Sequence, residues 1–400
     1  MMEEQLLPQL RFPEFDLGYK RVELKKIATF NPKSEELPES FIYIDLESVK
    51  NGLLSKEERI NKSEAPSRAQ RLLRKDDIIY QTVRPYQKNN YFFDKNANDY
   101  VASTGYAQIR TKQVSKYLYQ YLHTEKFVNK VLVRCTGTSY PAINSTDLSK
   151  ISINIPNITE QQKIASFLTD VDAKITQLTK KKALLEQYKK GLMQKIFSQE
   201  LRFKDKNDNE FPKWVEKKLG DLLKTIVDNR GKTPPIEKTG IPLIEINSIK
   251  NRFVDYRLVS KFVSENVYKE WFRKYLQDGD LLFSTVGKTA ICAIYKQDVL
   301  SAIAQNLVGL RFEKENFNFM YYLLTENKNN NKFKRIEMGA VQPSVKVSQM
   351  INIVFSIPCI EEQTQIANFL SDIDVKLEAL NAKIEQSKVF KKGLLQKMFV

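Results

Sequence analysis

The sequence predicts an α+β protein: two mixed α/β domains separated by two long helices that form an antiparallel coiled coil, the whole a pseudo-two-fold repeat. Three observations carry this. The stretch 155–197 returns without a gap at an offset of 202 as 357–399, with 21 identities in 43 positions. Both copies space their apolar residues alternately four and three apart. Each copy follows a longer stretch of short β-type runs bounded by Gly, Pro and Asn.

The arms come first because their pattern is strongest. Pro156 and Pro358 end the alternating runs Ile151–Ile155 and Ile353–Ile357, since proline removes a ladder donor. Thr159 is then read as a helix N-cap, with Gln162 completing a capping box. The first seam runs Ile164, Leu168, Val171, Ile175, Leu178, Lys182, Leu185, Lys189, Leu192, Ile196. The second runs Ile366, Leu370, Ile373, Leu377, Leu380, Ile384, Ser387, Lys391, Leu394, Met398. Eight of ten positions are apolar in each, enough for a coiled coil. A helix over Thr159–Phe197 would be about 58 Å long. Two matching seams in one chain bury each other more economically than each alone.

The remaining boundaries follow. An N-terminal segment covers 1–19, a first domain 20–154, the first arm 155–200, a polar connection 201–213, a second domain 214–356, and the second arm 357–400. Leu10-Arg11-Phe12 returns as Leu201-Arg202-Phe203, and Asp77–Val83 resembles Asp280–Val286. Within the domains, Phe41–Ile44, Ile78–Tyr80, Tyr91–Phe93, Ile241–Ile246 and Ala290–Tyr295 read as strands. Tyr117–Leu132 and Phe319–Glu326 read as helices.

Composition narrows the function. Lys and Arg total 64 against 48 Asp and Glu, a net charge of +16, so an anionic partner is expected. No apolar run is long enough to span a membrane, and the start lacks a secretory pattern. Cys135, Cys292 and Cys359 are too scattered for a disulfide framework, which fits the cytoplasm. One histidine, His123, excludes Cys-His and two-histidine metal sites, and it reads as structural. Gly231-Lys232-Thr233 and Gly287-Lys288-Thr289 are not P-loops, because Ile226 and Leu282 stand where the first glycine must be. No catalytic residue, metal site or cofactor site is expected in this chain.

What remains are basic, polar loops at matching places. The first domain offers Arg68, Arg71, Gln81, Thr82, Arg84, Tyr86, Lys88, Asn89, Ser139 and Tyr140. The second offers Arg230, Lys232, Thr233, Lys250, Asn251, Arg252, Ser284, Thr285, Lys288, Gln342, Ser344 and Lys346. Arg, Asn and Gln read base edges in the major groove, while Lys and hydroxyls hold phosphates. Double-stranded DNA is therefore the expected partner. A stand-alone DNA-binding regulator and a nuclease using Glu245 or Asp280 remain the alternatives.

The layout of domain, arm, domain, arm resembles the specificity (S) subunit of type I restriction–modification systems. The resemblance rests on Leu201-Arg202-Phe203, Phe211–Asp221, the Gly231–Pro234 turn, Gly279–Ser284 and both Ile-Pro…Glu-Gln…Ile-Ala…Phe-Leu arms. It covers essentially the whole chain; the first unit lacks the Gly-x-Thr-Pro turn. The resemblance implies two target-recognition domains, each reading half of a bipartite, asymmetric DNA site. It implies arms that set the spacing and dock two methyltransferase (M) subunits and, through them, restriction (R) subunits. S-adenosylmethionine, ATP and magnesium would then reside in those partners, with adenine methylation and cleavage performed there.

Overall fold

The computed structural model describes residues 7–33, 36–137, 139–229, 231 and 233–400. The chain divides into two compact units, one of residues 1–179 with 382–400, the other of residues 180–381. Each unit therefore holds a domain, the N-terminal part of one arm and the C-terminal part of the other.

In the first unit the mostly buried runs Ile78–Gln81 and Tyr106–Thr111 form the centre of an antiparallel four-stranded sheet. Ala28–Phe30 and Tyr91–Phe92 are its edges. A second sheet of Glu58–Asn61, Ser40–Ile44, Tyr100–Ser103 and Ala69–Leu72 contains one parallel pairing, between Tyr100–Ser103 and Ser40–Ile44. The second unit repeats the plan. Leu281–Ser284 and Leu307–Phe312 are central, flanked by Leu223–Val227 and Cys292–Ile294, and Ile241–Ile244 pairs in parallel with Ala302–Ile303. The ends of each domain are stitched by a two-stranded ladder, Lys20–Glu23 with Ser152–Ile155 and Val215–Lys218 with Val354–Ile357.

Two local expectations are corrected. The helix expected over Tyr117–Leu132 is a pair, Ser115–Leu122 and Glu125–Leu132. Thr124 breaks it by capping the second helix, its hydroxyl accepting from the Phe127 amide. The first arm helix runs Ile158–Phe197, and its cap is Asn157, whose Oδ1 accepts from the Glu160 amide at 2.9 Å. Thr159 already lies inside the helix, so its capping box does not form. The second arm helix is Ile360–Met398.

The Glu-Gln pair that recurs in both arms fastens each helix start to its own unit. Glu160 is fully buried and accepts from Arg11 Nε and Nη2, both at 2.8 Å, and from the Tyr19 hydroxyl at 3.1 Å. Glu362 accepts from Arg202 Nε and Nη2 at 3.1 and 2.6 Å and from Trp214 Nε1 at 3.0 Å. A buried carboxylate is tolerable only when paired and saturated in this way. Gln161 and Gln363 donate to the carbonyls of Pro156 and Pro358, and the Leu-Arg-Phe rings Phe12 and Phe203 pack edge-on against Phe167 and Phe369.

The helix segments in each unit share one core. Leu394, Met398 and Phe399 join Ile164, Ala165 and Leu168 in the first unit. Ile196, with Leu185 and Leu192 packed alongside, joins Ile366, Leu370 and Ile373 in the second, and Leu377 packs there as well. Val171, Ile175 and Leu178 are half-buried, whereas Leu380 and Ile384 are buried. Lys182 reaches Asn381 at 2.9 Å, and Lys189, seven residues on, reaches Asp374, seven residues back, at 2.5 Å. Those segments therefore run antiparallel. In the first unit Lys391 pairs with Asp172 at 2.7 Å, the repeat counterpart of Lys189 with Asp374. Lys189 and Lys391, two of the lysines that interrupt the apolar seam, are thus matched to acids across it, and Lys182 to an amide, a device that sets register. Among the described residues no helix is long and apolar enough to cross a membrane.

Candidate nucleic-acid interface

In each unit the loop after the central strand is tied to the later Gly-punctuated loop by the same backbone bond. The Arg84 amide donates to the Pro141 carbonyl at 2.8 Å, and the Gly287 amide donates to the Pro343 carbonyl at 2.8 Å. Val83 bridges Ala142, and Val286 bridges Ser344. Gly137 and Gly339 close the second loop at φ +86° and +90°, where a Cβ would stand 3.1 and 2.8 Å from the carbonyls of Tyr140 and Gln342. Only glycine satisfies both the angle and the space. Each unit therefore presents two joined loops on one scaffold.

The first unit's surface is aromatic and cationic. The Arg84 guanidinium lies 4.2 Å from the centre of the Tyr140 ring, a cation–π stack that holds it extended. Tyr86, Ser139 and Tyr140 are exposed, as is Arg68. Lys88 pairs with Glu125 at 2.7 Å, and Asn89 Oδ1 accepts from the Asn51 amide. Arg71 is half-buried, its Nε enclosed without a hydrogen-bond partner. Burial pulls its pKa down.

Several expected contacts are corrected inward. Gln81 is buried, donating to Gln87 Oε1 at 2.9 Å and accepting from the Asn89 amide, so its polar atoms are used within the loop. Thr82 is also buried and donates to the Gly105 carbonyl. In the second unit Ser284 is buried, donating to the Lys288 carbonyl and accepting from the Ile291 amide. Thr285 is fully buried beside it. These residues close central strands, where both faces are covered. Arg252 turns to the arm: it donates to Asn318 and, at 3.0 Å, to Ser371, lies 3.9 Å from Asp374, and stacks over Phe253 and Tyr322.

Lys250, Asn251, Lys288, Gln342 and Lys346 are exposed, and Ser344 is half-buried in the loop bridge. Thr233 is exposed and accepts from Gln305 Nε2. Arg230 and Lys232 lie outside the described residues. Sequence reasoning gave no role to Pro141 and Pro343, whose carbonyls build the scaffold, because backbone acceptors leave no residue-type signal; nor to Asn90, whose Oδ1 accepts from the Gln81 amide at 2.8 Å. Among the described residues no group of three or more His, Cys, Asp or Glu could hold a metal ion. Glu245 pairs with Lys261 and Asp280 with Arg311.

His123 sits beneath this surface. Its Nδ1 is 2.7 Å from the Tyr119 carbonyl and its Nε2 3.4 Å from Asn90 Nδ2. Burial, aided by the charges of Lys391 and Lys88, lowers its pKa to about 4. The unfolded chain therefore takes up this proton first as pH falls. Stability that is complete above about pH 6.5 drains away toward pH 4, by on the order of 2 kcal/mol. Urea unfolding of the first unit across that range should show this slope, and His123→Gln should flatten it; an equal slope in both proteins refutes the assignment.

Comparison with known proteins settles the family. The type I restriction modification DNA specificity domain matches this chain twice, over residues 21–187 and 212–387. The chain belongs to that family. A relative in Methanocaldococcus jannaschii, the type I restriction enzyme MjaVIII specificity subunit, is 24% identical over 373 residues, covering 90% of this chain and 85% of its own. Among solved structures, the type I restriction–modification S subunit from M. genitalium superposes with a TM-score of 0.61 at 14% identity, covering 99% of each chain. A chain from a structure of type I R-M assembly and conformational transition gives 0.58 at 20% identity, over 98% of this chain and 99% of that one. Both likenesses support the family's fold, with its twice-repeated domain.

Proposed function

We propose that this chain is the non-catalytic specificity subunit of a type I restriction–modification complex and reads a bipartite, asymmetric site in double-stranded DNA, one half with each unit. The observation that carries the reading is the shared loop scaffold bearing unlike side chains. The Arg84–Pro141 and Gly287–Pro343 bonds are the same, yet one loop pair shows Arg84, Tyr86 and Tyr140 and the other Lys288 and Gln342. One scaffold with different surface chemistry suits two different base sequences. The excess positive charge supplies sequence-independent attraction to phosphate.

The arms set the spacing and dock two methyltransferase subunits, and restriction subunits join through them, in the cytoplasm. S-adenosylmethionine, ATP and magnesium are bound by those partners, where adenine methylation and cleavage occur.

The test exchanges residues 20–154 for another recognition domain and reads methylation across a genome in cells supplying the M subunit. One half of the modified site should change while the other stays. A change in both halves, or in neither, overturns the reading. Arg84→Ala should weaken binding by about 1–3 kcal/mol and relax one half-site only.

A further inference from the structure

The two units differ at one matched place, where a cleft lies in the second unit and side chains pack closely in the first. In the first unit the region around Tyr119 is filled. His123 packs on the Tyr119 ring at 4.5 Å and meets Asn90, Lys88 pairs with Glu125, and Gly52 lies so close that a Cβ would fall 2.6 Å from the Tyr119 hydroxyl. At the repeat offset, Tyr119 corresponds to Tyr321, His123 to Thr325 and Glu125 to Asn327. Strand pairing matches Asn90 to Cys292. His123, Asn90 and Glu125 are thus each replaced by a smaller or uncharged residue.

The result in the second unit is a cleft of about 480 Å³, within the range of small-molecule sites. Lys250 and Lys288 line it, and no Asp or Glu does. Neither lysine has an acidic partner among the described residues. The remaining wall combines Tyr321 and Ile291 with the amides of Asn247, Asn251 and Asn327.

We propose that this cleft binds a single nucleotide, its phosphate at Lys250 and Lys288 and its base against Tyr321 and the asparagine amides. Two exposed ammonium groups with no acid lining the cleft attract an anion, and amides beside an aromatic ring suit the edge and face of a base. The site does not depend on the DNA-reading assignment, because a free mononucleotide carries all the chemistry it needs. A nucleotide unpaired from bound DNA carries the same chemistry.

The experiment titrates the full chain with each of the four deoxynucleoside 5′-monophosphates, with inorganic phosphate, and with duplexes that do or do not carry one extrahelical base. Saturable binding of at least one mononucleotide to one site per chain is expected, tighter than phosphate. The paired change Thr325→His with Asn327→Glu rebuilds the first unit's filling and should weaken it at least tenfold. Lys288→Gln should weaken it too, without altering packing, and Trp214 and Trp271 fluorescence checks folding. A wild-type preference for the bulged duplex that the filled variant loses places the nucleotide in DNA; equal affinity for both duplexes assigns the site to a free nucleotide. Absence of mononucleotide binding up to about 10 mM, affinity no better than phosphate, or binding indifferent to both variants overturns the proposal.

Discussion

Asp280→Ala should destabilise the second unit by about 3–5 kcal/mol, the cost of stranding a charge whose buried partner is removed. Asp280 is 1% exposed. It accepts from Arg311 Nε and Nη2 at 2.8 and 2.7 Å and from the Gln277 amide at 2.8 Å. Asp77 holds the same post in the first unit, accepting from Arg110 Nε and Nη2, both at 2.8 Å, from the Arg74 amide and from Gln108 Nε2. Both tryptophans, Trp214 and Trp271, belong to the second unit, so their fluorescence in urea reports that unit. The tryptophan midpoint should fall sharply in Asp280→Ala, and Asp280→Ala with Arg311→Leu should recover part of the loss. An unmoved midpoint would show that the pair contributes nothing. This carboxylate, with Glu245, was one the sequence offered to a nuclease reading, and its pairing with Arg311 gives it a structural role.

Phe399→Ala should destabilise the first unit by about 3–5 kcal/mol although the residue stands almost four hundred positions from that unit's first strand. Phe399 is 2% exposed, with its ring 5.3 Å from Tyr117 and 5.4 Å from Tyr121. The Tyr121 hydroxyl also donates to the Val400 carbonyl. Removing the ring leaves a cavity between two large aromatics that cannot collapse without moving their helix. Hydrogen exchange of amides in Ser115–Leu132 should accelerate, while the tryptophan transition of the second unit stays in place. The repeat counterpart Phe197 packs on Trp214 and Phe319, so Phe197→Ala should give the reverse pattern. Acceleration in neither variant would refute the exchange of helix ends.

The candidate interface was legible only in part. Charge and loop composition located the stretches around Arg84 and Lys288, because flexible polar residues next to Gly and Pro are a local signal. They did not separate Gln81, Thr82, Ser284 and Thr285, which are buried, from half-buried Arg84 and exposed Tyr140. A polar side chain at the end of a central strand looks the same in sequence whether it meets solvent or a backbone carbonyl. Arg252 misled for a related reason: its charge was visible, but Asp374, more than a hundred residues away, was not.

The sequence by itself determined the duplication, the two long helices, the face each one buries and the cationic character of the loops. These follow from periodicity and composition, which act between near neighbours along the chain. Tertiary structure alone decided which helix end completes which core, which polar groups are consumed by the scaffold, and why the cleft beside Tyr321 stays open where the region around Tyr119 is filled. Those outcomes depend on groups far apart in sequence meeting at ångström range, where a His exchanged for Thr or a Glu for Asn changes volume and charge together.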